Sequence, residues 1–160
     1  MERTETRDIS KEALLARIDG GWRPFRDRVR GIGRSRMDER TPAGWTYRDL
    51  IAHVAAWEQL TARRLATFRD TGDQTRPAAA GDVDAFNERV VEAHRLVGAE
   101  ALTDELDTAH RALVREVAAL SDEQVSRDVR DTPWGPAGWV VTLVAGNSYG
   151  HYEEHEEELR

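Results

Sequence analysis

The chain has 160 residues, 33% of them charged and 39% hydrophobic, with a formal net charge of -7 and no cysteine. This length predicts a single domain over residues 1–160 with a core of its own, and the composition, with five prolines and no β-branched runs, points to an all-α protein. The acidic balance repels a phosphate backbone, so nucleic acid is not expected as a partner; no apolar run approaches ~20 residues and no leader precedes the first helix, so a cytoplasmic protein with no membrane partner is expected.

Ser10 is an N-cap for a first helix whose apolar positions Leu15, Ile18, Trp22, Phe25 and Val29 recur at three and four. Gly20, Gly21 and Pro24 predict a kink in it, because glycine weakens a helix interior and proline removes a donor. After the loop "MDERTPAG", Thr46 and Asp49 have capping-box spacing and open a second helix to about Asp70, with Leu50, Val54, Trp57, Leu65 and Phe68 as its stripe. "TGDQTRPAAAGDV" has no period and predicts a long crossover loop over 71–83.

Helical spacing resumes from Phe86 through Val90, Val97, Leu102, Leu106, Leu113 and Val117 to Leu120, a third helix with Gly98 as a candidate break. "SDEQ" reads as a capping box for a short turn, and "DTPWGPAG" as the last loop. A fourth helix is predicted from about Ala137 to Leu159. Its three consecutive C-terminal glutamates oppose the helix dipole, so the last turn should fray unless something holds it; the run Glu153 to Glu158 reads as a solvated face.

That fourth helix carries the chemistry. His151 and His155 lie about 40° apart on a helical wheel, on the stripe of Val140 and Val144, so both face inward. Imidazoles at i and i+4 can reach one divalent ion, but a pair is not a site and a third ligand is required. His53 is the best candidate. It lies ~10 Å from the start of its helix, and the midpoint of His151 and His155 lies ~24 Å from the start of theirs, so the three meet only if helices two and four are antiparallel. A long crossover between helices two and three produces that arrangement, a four-helix bundle running up-down-down-up. His110 and His94 read as hydrogen-bonded interior residues, with a supporting role beside the ligands as the minority reading. Trp45, Trp134 and Trp139 are candidates for a pocket mouth.

The stretch "GWTYRDLIAHVAAWE" with His53 and the stretch "HYEEH" near the C-terminus resemble the DinB-like, or YfiT-like, superfamily of small four-helix metalloproteins. The resemblance implies the same bundle and a zinc or nickel ion held by His53, His151 and His155. It extends to the mycothiol-dependent maleylpyruvate isomerase and bacillithiol transferase groups, which use a metal to activate a low-molecular-weight thiol. The chain ends after helix four, where the isomerase continues into another domain, so isomerisation itself is not expected. "SKEALLARI" and "DVDAFNERVVEAHR" are also similar to the ClbS/DfsB family, which includes a self-resistance hydrolase.

Three neutral imidazoles leave an ion with open positions, the pattern of a catalytic site. The first expectation is a metal-dependent transferase that adds a thiol cosubstrate such as mycothiol to an electrophilic small molecule. The alternatives are a metal-dependent hydrolase or self-resistance protein acting on a reactive small molecule, and a non-catalytic binding bundle, whose sign would be a fourth protein ligand such as His110. A homodimer is left open.

Overall fold

The structure is a computed structural model that describes residues 9–74, 80–126 and 138–159. Its helices are α1 (Lys11–Ile32), α2 (Tyr47–Thr71), α3 (Ala80–His94), α4 (Ala99–Ala119), α5 (Asp122–Ser126), α6 (Trp139–Asn147) and α7 (Tyr149–Glu156), with short 3-10 turns at Arg34–Arg36 and Glu157–Leu159. No strand occurs among the described residues, and none of their helices is long and apolar enough to cross a membrane. The fold is an all-α bundle.

The helix starts follow from local side chains. Ser10 accepts a hydrogen bond from the Ala13 amide at 3.1 Å, and Thr46 and Asp49 satisfy each other's backbone amides in a complete capping box ahead of α2. Ser121 and Gln124 do the same ahead of α5, at 3.1 and 2.9 Å. α1 continues as one helix through Gly20, Gly21 and Pro24, where the kink was expected. Pro24 sits on the exposed side, and Leu14, one position before the predicted Leu15, is the residue fully buried there.

Contacts fix the directions. Arg48 reaches the carbonyl of Val97 and Arg69 pairs with Glu116, so α2 and α4 run parallel. Phe68 packs against Trp139 at 5.1 Å while His53 meets His151, so α2 runs antiparallel to α6 and α7. Lys11 bonds Asp122 at one end and Arg26 bonds Asp107 further along, which sets α1 antiparallel to α4. The bundle is up-down-down-up, as the histidine depths required.

Two expected elements differ. The crossover is not loop alone: α3 is a separate helix that runs back along α2, with Phe86 against Trp57 and Val90 buried, and turns at Gly98 into α4. Fifteen helical residues return ~22 Å of the distance. Residues 75–79 of the crossover and 127–137, which include Trp134 and most of the last loop, lie outside the described residues. The fourth helix is broken at Ser148 (φ -134°, ψ -108°) into α6 and α7. Its last turn is held: Leu159 is buried, Arg28 pairs with Glu156 at 3.2 Å, and Glu158 meets His155.

The core falls into two clusters. One gathers Phe25, Leu50, Val54, Leu102, Leu106 and Tyr152, the other Leu14, Ile18, Leu65, Phe68, Leu113 and Val144. Between them, at the level of Trp22, lies a polar layer made by Glu58 of α2 and His110 of α4.

Candidate metal centre

His53 stands two turns into α2, an address set by the Thr46 cap; His151 and His155 stand one turn apart on α7. The break at Ser148 resets the phase of the last helix, so the single continuous wheel does not hold, yet both rings still turn inward toward α2. His53 Nε2 lies 2.8 Å from His151 Nε2, and His155 Nε2 lies 3.0 Å from the same atom. The three ligand nitrogens all fall within 4.8 Å of one another, and they form a group that could hold one metal ion. All three sequence candidates are brought together.

The outer nitrogens are treated differently. His53 Nδ1 lies 3.1 Å from Asn87 Oδ1, and His155 Nδ1 lies 3.1 Å from a Glu158 carboxylate oxygen. His151 Nδ1 is buried with no hydrogen-bond partner among the described residues. Burial pushes the His151 imidazole down to about 3, with the charges of His53 and His155 acting in the same direction. Burial also lowers His53 to about 4, assisted by His155 and opposed by the hydrogen bond to Asn87. At neutral pH these two rings are uncharged, the protonation state a cation requires of its ligands.

Chemistry of the donor set fits zinc or nickel: imidazole nitrogens suit both ions. Convergence of three such nitrogens in a buried spot is also electrostatically unfavourable for any protonated ring. That is what an ion would relieve.

Beside the triad, beyond the Trp45 and Asn87 side chains that contact His53, lies a cavity of about 510 Å³ walled by those two residues and by Asp49, Asp84, Glu88 and Glu92; none of the three histidines lines it. Trp45 is fixed by a tight turn in which Gly44, at φ +96°, donates to Thr41 and Thr41 in turn donates to the Trp45 carbonyl at 2.6 Å. Its ring stands edge-on to His53 with centroids 4.8 Å apart. Trp139, the other described candidate for the mouth, is instead buried in the far cluster against Phe68.

Sequence reasoning missed a buried network beside the site. Glu58 is fully buried, and its Oε1 accepts from the Tyr152 hydroxyl and lies 3.2 Å from His110 Nδ1. His110 stacks on Trp22 at 3.7 Å, and so serves this network rather than the triad. Burial raises the Glu58 carboxyl above the usual range, against the lowering effect of His110 and Tyr152. A signal existed: Glu58 follows Val54 by four and precedes Leu65 by seven, which places a carboxylate on the apolar stripe. His94 is hydrogen-bonded to the Val90 carbonyl and to Glu105, both at 2.7 Å, and plays no part in the triad. Asn87 and Glu158 carried no sequence signal. The acidic run is a solvated face only at Glu153, Glu154 and Glu157, since Glu156 and Glu158 are half-buried and paired.

Comparison with known proteins agrees with this fold. The family described as the mycothiol maleylpyruvate isomerase N-terminal domain matches residues 18–146. No curated protein matches the chain. Among solved structures, the colibactin self-resistance protein ClbS, in complex with a dsDNA, superposes with a TM-score of 0.77 at 14% identity, covering 94% of this chain and 93% of that one. The sibling lethal factor precursor DfsB gives 0.76 at 19%, with the same coverages, and an uncharacterised Escherichia coli UTI89 protein 0.76 at 18%, covering 94% and 91%. These likenesses establish the fold. They also correct one expectation: a bundle of this fold is solved on duplex DNA, so the exclusion of nucleic acid drawn from net charge does not stand. Net charge averages over the whole surface, whereas contact with a duplex depends on local cations.

Proposed function

Because the chain belongs to the family of the mycothiol maleylpyruvate isomerase N-terminal domain, we propose that it is a metal-dependent transferase that adds a low-molecular-weight thiol to an electrophilic small molecule. The observation that carries this reading is the convergence of His53, His151 and His155 beside a cavity. A zinc or nickel ion supplies, when bound, a Lewis acid that lowers the pKa of a thiol or water at neutral pH. His53, His151 and His155 would hold it, each through one ring nitrogen. Among the described residues no carboxylate joins the group, and His110 is engaged with Glu58, so room for a thiol remains. Trp45 offers an aromatic wall to the second substrate. The carboxylates of Asp49, Asp84 and Glu88 favour a neutral or cationic electrophile over a dianion.

The test is elemental analysis of tag-free protein together with turnover of a fluorogenic electrophile, with and without mycothiol. One equivalent of zinc or nickel and turnover that requires both metal and thiol are expected. Thiol-independent turnover would instead favour a hydrolase, the alternative implied by the resemblance of the sequence to the ClbS/DfsB family. Protein that binds neither metal would sink both readings and leave a binding bundle.

A further inference from the structure

The two rings flanking His151 differ from it in having their outer nitrogens engaged, and for His53 the partner is itself oriented by a third residue. Asn87, on the crossover helix α3, places Oδ1 2.8 Å from Trp57 Nε1 and 3.1 Å from His53 Nδ1. An indole nitrogen only donates, so the amide atom facing it is the carbonyl oxygen and not the NH2. That oxygen has two lone pairs and accepts twice. The second donor is His53 Nδ1, which therefore carries the ring proton, and a neutral imidazole protonated at Nδ1 has a bare lone pair at Nε2. Nε2 is the atom aimed at His151, 2.8 Å away.

We propose that Asn87 is a positioning residue, its amide oriented by the Trp57 indole, that locks His53 in the Nδ1–H tautomer and so presents the Nε2 lone pair to the centre of the triad. The device spans two elements: Trp57 follows His53 by four residues on α2, and Asn87 reaches across from α3. Docking of the crossover helix thereby sets the chemistry of a ring on the bundle helix beneath it. A water could accept from His53 Nδ1 equally well, but it would not discriminate between the two tautomers, because water both donates and accepts.

The tautomer lock is a property of the metal-free protein; only its effect on affinity rests on reading the triad as a metal site. The test is long-range nitrogen–proton NMR of ¹⁵N-histidine-labelled protein in chelator at pH 7.5, then titration with zinc chloride against a competing chelator. Wild-type His53 is expected to show the Nδ1–H pattern. Asn87→Asp, which offers only acceptor oxygens, should keep that pattern, while Asn87→Ala and Trp57→Phe should give mixed tautomers with the same helical circular dichroism. Zinc affinity should fall roughly 10- to 100-fold in Asn87→Ala and recover in Asn87→Asp. An Nε2–H pattern for His53 in the wild type, or one unchanged in Asn87→Ala, overturns the proposal. If zinc fails to bind the wild type, the metal reading falls, and the metal-free spectra still decide the lock.

Discussion

At the scale of single residues, buried imidazoles have an energetic signature that can be read without any metal. The rings of His53 and His151 are held neutral in the fold down to about 4 and about 3, while an unfolded histidine takes up its proton near ~6.5. As pH falls below ~6.5 the unfolded chain binds protons that the folded one refuses, so stability is full above that value and declines on acidification toward pH 4. In chelator, the unfolding free energy from urea titration should therefore be lower at pH 5 than at pH 7.5, by on the order of 1–2 kcal/mol for each ring. His151→Ala should flatten this slope and change stability at pH 7.5 only slightly. An equally steep acid decline in His151→Ala would show that other groups carry it.

Among elements, the approach of α7 to α1 decides where two of the three rings stand. A Cβ on Gly21 would come 2.7 Å from Tyr149 Cβ and 3.0 Å from its Cα, neither of which can swing aside, whereas a Cβ on Gly20 meets nothing within 4 Å. Gly21→Ala should cost about 1–3 kcal/mol and weaken zinc binding by displacing α7. Gly20→Ala, next door, should stabilise α1 by up to about 1 kcal/mol. Thermal melts of the two variants in chelator test the contrast. Caps at Ser10, Thr46 and Ser121 were legible in the sequence because each is a local bargain between neighbouring backbone and side-chain groups, and the depth of His53 was legible because helical rise is constant. Less visible was α3, since its apolar period runs into that of α4 with only Gly98 to mark the turn. The break at Ser148 was hidden too, with no proline there; in retrospect Gly146 and Gly150 flank it, and a Cβ at Gly150 would lie 2.7 Å from the Ala145 carbonyl oxygen. Asn87 could not be foreseen, because its partners lie 30 and 34 residues away.

For the molecule as a whole, scaffold and site should separate in their response to metal. Leu113 is fully buried in the cluster away from the triad, so Leu113→Ala should lose about 2–5 kcal/mol whether or not zinc is present. Wild-type protein should gain about 2.7 kcal/mol at zinc a hundredfold above its Kd, and His151→Ala should forfeit that gain. Melting curves of the three proteins, with chelator and with zinc, check both statements; a wild-type midpoint indifferent to metal would count against the triad as a metal site. The meeting of α2 with α7 has a further consequence, in the order of biosynthesis. Because His53 meets His151 across 98 residues of sequence, a ribosome adding ~5–20 residues each second makes the second ring ~5–20 s after the first. During that interval α1, α2 and α4 can assemble around the buried leucines with one face still open. An ion held by all three rings would require α7 in place, so metal retention by freshly made protein would time the final step of folding.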